Sequence, residues 1–177
     1  MLEAIRIRRS HRSFEQRDIE PEKLEEVLMA AMFAPTAKDL RPVEFIVVKD
    51  KHMITQLSGM TPYSGFAKKA PVVIVVCYDT EKGRRFREDC SISAAHIYLE
   101  AVNQGLGTCF VQVADALPGP GAGKQGESPE GLIKKELGLP GRFRIQCMMP
   151  VGYPEKAQPP HDASVFFDRA KIHFETY

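Results

Sequence analysis

Apolar and polar residues along the chain fall into blocks whose periods predict both strands and helices. Residues 43–48 (VEFIVV) and 143–151 (FRIQCMMPV) are short apolar runs of strand length. Residues 71–78 (PVVIVVCY) are apolar without interruption, which predicts a strand buried on both faces. A further strand is predicted over residues 108–113 (TCFVQV).

Helical signals separate these strands. Pro21 suits a first helical position with Glu20 as N-cap, and Ile19 and Leu24 have the spacing of a hydrophobic staple. The other predicted helices cover residues 2–8, 50–58, 86–104 (closed by Gly105) and 129–138. Strands that alternate with helices indicate an α/β or α+β layered fold, and 177 residues fit one domain.

The longest predicted helix is apolar on two sides, which means burial on two sides. One stripe contains Cys90, Ala94, Ile97, Tyr98 and Ala101, and the other contains Ile92, Ala95, Leu99 and Val102. The helix is either the centre of one core or packs its second stripe on another subunit. The aromatic stretch 164–177 favours the second interpretation, because Phe166, Phe167 and Phe174 need a surface that buries them.

Composition narrows the classes of function. The chain has 24 basic and 23 acidic residues, and its net charge of +1 argues against a nucleic-acid binder or a polybasic membrane anchor. The longest apolar run, 70–78, is too short to span a bilayer as a helix, and the N-terminus lacks a signal-peptide core. The four cysteines have apolar neighbours and no C-x-x-C spacing, which suits buried residues in a reducing cytoplasm.

Several motif matches carry no function. Residues 121–126 (GAGKQG) fit G-x-G-x-x-G, but they do not join a strand directly to a helix, and Gln125 follows Lys124 where a Walker loop needs Ser or Thr. The chain contains no G-x-S-x-G elbow, and its five histidines lack metal-binding spacing. We therefore expect a flexible loop at 121–126, no metal site and no hydrolytic triad.

Residues 8–14 (RRSHRSF) concentrate three arginines and two hydroxyls in a nearly neutral protein. Guanidinium forks and a hydroxyl suit a phosphate ester and a polar heterocycle, although a solvated charged surface would also explain a run of arginines. Residues 34–42 (APTAKDLRP) form an equally unusual loop, stiffened by prolines near both ends. Together the two segments suggest a binding site for a phosphorylated ligand.

With these segments the chain resembles the FMN-dependent nitroreductase family over nearly its whole length. The family's R-R-S-x-R-x-F matches residues 8–14, and its A-P-S-A-x-N-x-Q-P-W is similar to residues 34–43. Its G-L-G-T-C follows the long helix at residues 105–109, and its G-Y-P stands at 152–154. Four motifs in the right order are far more specific than any one of them.

The resemblance implies an α+β, nitroreductase-like three-layer sandwich, with a mixed, mostly antiparallel sheet flanked by helices. It also implies one domain over residues 1–177, an intertwined homodimer, and a C-terminal arm (164–177) that packs on the partner subunit. Two FMN sites would lie at the subunit interface. We accordingly expect a cytoplasmic protein with no nucleic-acid or membrane partner.

The resemblance also implies roles for particular residues. Arg8 and Ser10 would hold the phosphate and ribityl side of FMN, with Arg9 beside them and Arg12 at the pyrimidine edge. The other subunit would supply Pro35, Thr36, Ala37 and Asp39 near the isoalloxazine. The turn around Gln112 and Val113 would offer a backbone N–H to flavin N5. One late basic residue would complete the phosphate site, and the candidates are Lys156, His161 and Arg169.

The implied activity is transfer of hydride from NADH or NADPH to flavin N5 and then to an electron-poor small molecule, a nitroaromatic or a quinone, by a ping-pong mechanism. The cofactor carries the chemistry, so no catalytic side chain is required. The alternative is an FMN-binding or sensing protein with little reductase activity. Two departures from the family pattern support that alternative: Asp39 replaces Asn, and Gln112-Val113 replaces Gly-Gly. Together with Arg41 in place of Gln and Val43 in place of Trp, they bear on redox potential and substrate range more than on flavin binding.

Overall fold

A computed structural model describes residues 1–122 and 127–177, and its central feature is an antiparallel sheet. The strand order is β1–β2–β5–β3, and a further short strand, β4, also pairs with β5. The strands are β1 (Val43–Val48), β2 (Val72–Asp79), β3 (Gly107–Thr108), β4 (Val111–Gln112) and β5 (Phe143–Gly152). Each of these pairs is antiparallel, in agreement with the predicted mixed, mostly antiparallel sheet. A parallel contact occurs at the isolated bridge between Ser10 and Thr108.

Helices cover both faces of the sheet, which confirms the predicted α+β sandwich. They are α1 (Glu3–Ile7), α2 (Pro21–Met32), α3 (Lys51–Ser58), α4 (Phe86–Asn103), α5 (Pro129–Glu136) and α6 (Ala163–Phe166). Short 3-10 turns occur at Ala37–Asp39, Gly65–Lys69 and Arg169–Lys171. Over the described parts of the chain, no helix combines the length and the apolar character needed to cross a membrane.

The core lies on both sides of β2 and β5. All eight residues of β2 are buried, as predicted for this uninterrupted apolar run. Because side chains alternate along a strand, Ile74 and Val76 join the core under α2 and α4, whereas Val73 and Val75 join the core under α3 and α5. The two cores make the sheet the middle layer of three.

The four cysteines are all buried and unpaired, as predicted. Burial raises the pKa of the Cys77 thiol to about 12, and it also raises the pKa values of the Cys90 and Cys147 thiols well above their usual value. These thiols therefore stay protonated and serve as small apolar core groups.

The predicted helix boundaries follow from local backbone chemistry. Pro21 occupies the start of α2 directly after Glu20, because proline has no backbone N–H to leave unpaired there. After α4, Gly105 adopts a φ of 73° and Leu106 N donates to Ala101 O at 2.7 Å. Together with the bond from Gly105 N to Val102 O, this is a Schellman termination, which glycine accommodates without steric cost.

The single strand predicted over residues 108–113 is divided into β3 and β4. Thr108 pairs with Val151 and Val111 pairs with Met148, so one register continues across the gap. That register places Pro150 opposite the gap, where proline cannot donate to a strand ladder. The N–H of Phe110 is instead donated to the hydroxyl of Tyr98 at 2.6 Å.

The predicted loop at 121–126 is described only in part, since residues 123–126 lie outside the described residues. The C-terminal arm (164–177) has little regular structure. The structure gives it only the end of α6 and one 3-10 turn, and leaves all of its residues exposed.

Candidate functional site

The arginine-rich segment is held against the edge of the sheet by its last residue, Phe14. Phe14 is fully buried and forms a bridge with Pro154, directly after the end of β5. Upstream, Ser10 bridges to Thr108 of β3, and His11 N donates to Thr108 O at 3.0 Å. The backbone of this segment is therefore fixed to β3 at Ser10 and His11 and to the residues after β5 at Phe14, which fixes where its arginines lie.

Two motif glycines permit this close packing. A Cβ at Gly107 would lie 2.8 Å from the His11 ring, and a Cβ at Gly152 would lie 2.7 Å from Pro71 Cδ and 3.0 Å from Phe14 Cδ1. All three distances are shorter than normal van der Waals contact. The G-L-G-T-C and G-Y-P motifs thus support the arginine segment by leaving room for it.

We expect Gly107→Ala to destabilise the protein and disturb the arginine segment. The new methyl group would push on the root of the His11 side chain, and overpacking of this kind costs about 1–3 kcal/mol. Urea unfolding followed by circular dichroism measures the change. The matched control is Gly141→Ala, because nothing lies within 4 Å of a Cβ at that position. Equal stability of the two variants would contradict the assigned role of Gly107.

Arg8 lies beside His161, one of the three basic residues that were candidates to complete the phosphate site. The guanidinium carbon of Arg8 lies 5.1 Å from the centre of the Tyr98 ring. His161 Nε2 lies 2.9 Å from Arg8 O and 3.3 Å from Arg8 Nη2. Since a ring nitrogen that donates to the carbonyl cannot also accept from Nη2, the first contact is the hydrogen bond.

The other ring nitrogen of His161, Nδ1, is buried and lacks a hydrogen-bond partner among the described residues. A buried polar atom without a partner beside an arginine is a natural contact for a ligand. Lys156 and Arg169, in contrast, are exposed, and the structure does not bring them to Arg8 within the described parts of the chain. His161 is therefore the candidate that the fold joins to the arginine segment.

Arg9 has a structural role that the sequence did not reveal. Its Nε and Nη2 atoms both donate to Pro159 O, at 2.9 and 2.7 Å. This fork ties the segment before His161 to the arginine segment, so Arg9 fixes the position of His161.

Burial, followed by the charges of Arg8 and Arg9, lowers the pKa of His11, which is therefore neutral near pH 7.

Ser10 belongs to a hydrogen-bond chain that runs through Tyr98. The Tyr98 hydroxyl accepts from Phe110 N at 2.6 Å and lies 3.2 Å from Ser10 Oγ. Because burial raises the pKa of Tyr98, the hydroxyl keeps its hydrogen and can donate it to Ser10. The hydrogen of Ser10 is then free to point toward a ligand.

Arg12 borders a largely apolar cleft of about 380 Å³. Its guanidinium carbon lies 5.9 Å from the centre of the Phe66 ring, on the turn Gly65–Lys69. The cleft is lined by Arg12, Thr61, Pro62, Tyr63, Phe66, Cys109, Phe110, Val111, Gln112, Ala116 and Leu117. A flat aromatic ligand could therefore lie against apolar side chains with its polar edge toward Arg12.

The predicted N–H donor near Gln112 and Val113 is only partly available. Gln112 is exposed and lines the cleft, whereas Val113 is fully buried and its N–H is donated to Gln146 O at 3.1 Å. The N–H of Val113 is thus already used in this conformation, and a backbone donor from the turn around Gln112 and Val113 stays a prediction. Gln112 retains a place beside the cleft.

The second predicted half of the site lies elsewhere in the same chain. The loop from Pro35 to Asp39 is fastened to the start of α4, where the buried Asp89 accepts from Ala37 N at 3.0 Å. Thr36 Oγ1 accepts from Arg41 N at 3.0 Å, which fixes the end of the loop. Pro35 is exposed and Thr36 and Ala37 are half-buried.

The two halves are separated along α4. The arginine segment contacts α4 at Tyr98, and the second loop contacts it at Asp89. Nine residues separate these contacts, which corresponds to about 13 Å along a helix. One chain therefore does not bring the two predicted halves together.

Two departures from the family pattern compensate each other. Arg41 Nε and Nη2 donate to Asp39 Oδ1 and Oδ2 at 2.9 and 3.1 Å. This two-pronged contact lowers the pKa of Asp39, so the carboxylate stays charged with its counter-charge beside it. The aspartate thus adds little net charge near the loop.

Sequence reasoning missed three contributors to the site. Tyr98 was counted only as part of an apolar stripe, and Asp89 and Phe66 were not considered. A tyrosine within an otherwise aliphatic stripe is a signal that its hydroxyl has a partner. A buried aspartate in the first turn of a helix is a similar signal, since it needs donors from another segment.

Known proteins resemble the chain over its whole length. The model of the nitroreductase family matches residues 5–61 and 55–153. A "Putative NADH dehydrogenase/NAD(P)H nitroreductase" of Methanothermobacter thermautotrophicus is 34% identical over 180 residues, covering 100% of this chain and 87% of the relative. The "FMN reductase [NAD(P)H]" of Bacillus subtilis is 24% identical over 116 residues, 66% of this chain and 45% of the relative.

A solved structure agrees with these matches. The "FMN-dependent Nitroreductase" from Clostridium difficile R20291 superposes with a TM-score of 0.92 at 34% identity, covering 100% of both chains. The family model covers most of the sequence, and the motifs that match it hold the arginine segment in place. The chain therefore belongs to the nitroreductase family.

Proposed function

We propose that the protein is an FMN-dependent oxidoreductase that uses NAD(P)H. The observation that carries the proposal is the arginine segment, fixed on β3 beside an apolar cleft in a member of the nitroreductase family. The similar proteins named above are an FMN-dependent nitroreductase and an FMN reductase that uses NAD(P)H. FMN, when bound, would supply the chemistry by accepting hydride and passing it to an electron-poor acceptor.

The residues present fit FMN part by part. Arg8 suits the phosphate, since its guanidinium brings positive charge and several donors, and Nδ1 of His161 would add a donor to the phosphate in the protonated ring. The free hydroxyl hydrogen of Ser10 suits the ribityl chain. Arg12 at the edge of the cleft suits the pyrimidine carbonyl, with the ring system along the apolar lining.

The protein's own part in the reaction is to bind and orient. Phe66, Phe110 and Val111 give the cleft an apolar surface that excludes water from the reacting edge. Arg12 fixes the orientation of the polar edge of a flat ligand. NAD(P)H and the acceptor, a nitroaromatic or a quinone, would occupy this cleft in turn, as a ping-pong mechanism requires.

We further propose that the functional protein is a homodimer. The loop from Pro35 to Asp39 lies about 13 Å along α4 from the contact of the arginine segment, so it cannot complete the site of its own chain. A two-fold related copy can bring this loop to the partner's arginine segment. The C-terminal arm would then pack on the partner subunit.

A specific observation favours the alternative of an FMN-binding or sensing protein. The N–H of Val113 is used by Gln146 O, which removes one candidate donor to flavin N5. A site that holds FMN without this donor could bind the cofactor and reduce acceptors slowly. Oxidation of NAD(P)H separates the two functions.

Titration of the purified protein with FMN tests the proposal. We expect saturable quenching of flavin fluorescence with a Kd below about 50 µM, equivalent to roughly −6 kcal/mol or better, and much weaker binding of FAD. Oxidation of NAD(P)H should then accelerate when a quinone or nitroaromatic is added. The absence of saturable FMN binding would refute the central proposal, whereas FMN binding without acceptor-dependent oxidation would favour the alternative.

A further inference from the structure

A second cleft, of about 550 Å³, lies next to the loop that would face the partner's flavin. It is formed between that loop and the turn that precedes α4. Its lining residues are Ala37, Lys38, Leu40, Glu81, Lys82, Gly83, Arg84 and Arg85. Four of these side chains are cations and one is an acid, so the cleft is strongly positive in a nearly neutral protein.

Three of the four cations have no ion-pair partner within residues 1–122 and 127–177. Lys82 is neutralised, because its Nζ lies 3.0 Å from Glu44 Oε1 and 3.7 Å from Asp79 Oδ2. Lys38, Arg84 and Arg85 are exposed and make no such pair there. Like charges placed together without counter-charges repel each other, and a bound anion would relieve that repulsion.

The turn that carries the two arginines is built rigidly. A Cβ at Gly83 would lie 2.3 Å from the Tyr78 hydroxyl and 3.0 Å from Pro42 Cγ, so the turn approaches the loop as closely as glycine allows. The buried Tyr78 hydroxyl accepts from Arg85 N at 2.8 Å. Asp79 N donates to Pro42 O at 2.8 Å.

The other wall of the cleft is fixed as well. Lys38 has a φ of 57°, a conformation that is uncommon for a residue with a side chain. The bond from Ala37 N to the buried Asp89 holds the backbone at this position. Lys38 on one wall and Arg84 and Arg85 on the other thus surround a space whose geometry exists before any ligand arrives.

We propose that this cleft binds the 2′-phosphate of NADPH and gives the enzyme a preference for NADPH over NADH. The inference rests on the proposed function, in which the adjoining loop borders the partner's flavin. The cleft adjoins this loop, so a dinucleotide whose nicotinamide lay over that flavin would reach the cleft if its adenosine end extended past the loop. A phosphomonoester is a dianion with three acceptor oxygens, which two guanidinium forks and one ammonium match well.

The first test measures binding without turnover. Adenosine 2′,5′-bisphosphate carries the proposed phosphate, and adenosine 5′-monophosphate lacks it. Isothermal titration of the FMN-treated dimer should show at least tenfold tighter binding of the bisphosphate. The double variant Arg84→Gln/Arg85→Gln should lose most of that difference, while the control Lys135→Gln, an exposed lysine on α5, should retain it.

The second test compares the two reductants. The wild-type ratio of kcat/KM for NADPH over NADH should exceed about ten, since each charge-assisted hydrogen bond is worth about tenfold or more. The double variant should reduce the ratio about tenfold, with FMN content and NADH kinetics unchanged. A wild-type ratio near one, or a ratio that the double variant leaves unchanged, would overturn the inference.

The binding measurement also separates this inference from the proposed function. Protein that fails to bind FMN but binds the bisphosphate in an Arg84- and Arg85-dependent manner would refute the proposed function and support the phosphate site. Protein that binds FMN but does not discriminate between the two adenosine phosphates would refute the phosphate site alone.

Discussion

Replacement of Arg8 by alanine should weaken FMN binding about tenfold to a hundredfold. A hydrogen bond to a charged group contributes roughly 1.5–3 kcal/mol, and Arg8 is the candidate phosphate ligand that lies beside His161. The fold should persist, because the main-chain contacts that hold the segment come from His11 and Phe14. Fluorescence titration of the variant with FMN gives the change in Kd, and circular dichroism reports the fold.

A neighbouring arginine provides the control for this experiment. Arg6 lies on α1, two residues before Arg8, is exposed and pairs with Glu3 through Nη2 at 2.6 Å. Arg6→Ala removes the same positive charge from the protein, so we expect it to leave the Kd for FMN within about twofold of the wild-type value. If both variants bind FMN equally well while folded, the phosphate lies elsewhere and the assignment of Arg8 is wrong.

The fold was largely predictable from local patterns. The apolar run at 71–78 predicted a strand buried on both faces, and Pro21 and Gly105 predicted helix ends, because each depends on neighbouring residues only. The break within 108–113 was not predictable in this way. It depends on Pro150, which reaches its position opposite the gap only after β5 has paired with both short strands.

The sequence predicted which segments form the candidate site, but it did not predict which residues of these segments contact each other. The motif at residues 8–14 could be recognised, yet Arg9 is used to bind Pro159 O and Arg8 adjoins His161, more than 150 positions along the chain. Such contacts are created by the path of the chain after β5, which has no local sequence signal. The ion pair of Asp39 and Arg41 depends on how the loop turns between these residues, so the sequence alone did not predict it.

The single chain leaves apolar side chains of two helices uncovered, which supports the proposed dimer. In the second apolar stripe of α4, Ile92 and Ala95 are exposed, and Leu99 and Val102 are only half-buried, so no part of the described chain covers them fully. Phe33, at the end of α2, is 75% exposed. Monomeric soluble proteins rarely leave a surface of this kind uncovered.

The C-terminal arm adds to this unpaired apolar surface. Val165 is 72% exposed, Phe166 65% and Phe174 77%. Phe166 also borders an apolar cleft of about 640 Å³ that reaches back to Arg8 and His161. An arm that begins beside the phosphate candidates, with its aromatic side chains uncovered, would link assembly of the proposed dimer to completion of the site.

Deletion of residues 164–177 should therefore weaken the dimer and the retention of FMN together. Obligate interfaces bury roughly 2,000–5,000 Å² and leave no stable monomer, so loss of several aromatic contacts should shift the protein toward dissociation. Light scattering should give twice 19.8 kDa for the wild-type protein and a smaller, concentration-dependent mass for the truncated one. FMN absorbance after gel filtration should fall in parallel.

Point variants separate loss of the arm from general damage. Phe166→Ser with Phe174→Ser removes two exposed aromatic side chains and should reproduce much of the effect of the deletion. The control is Lys171→Ala, because Lys171 is an exposed residue of the arm and its Nζ lies 3.9 Å from Asp168 Oδ2. This variant should leave the mass in solution and the FMN content of the protein unchanged. A folded, FMN-loaded wild-type monomer of 19.8 kDa would refute both the shared site and the role of the arm. In such a monomer the loop from Pro35 to Asp39, which is held at Asp89, would have no partner flavin to contact.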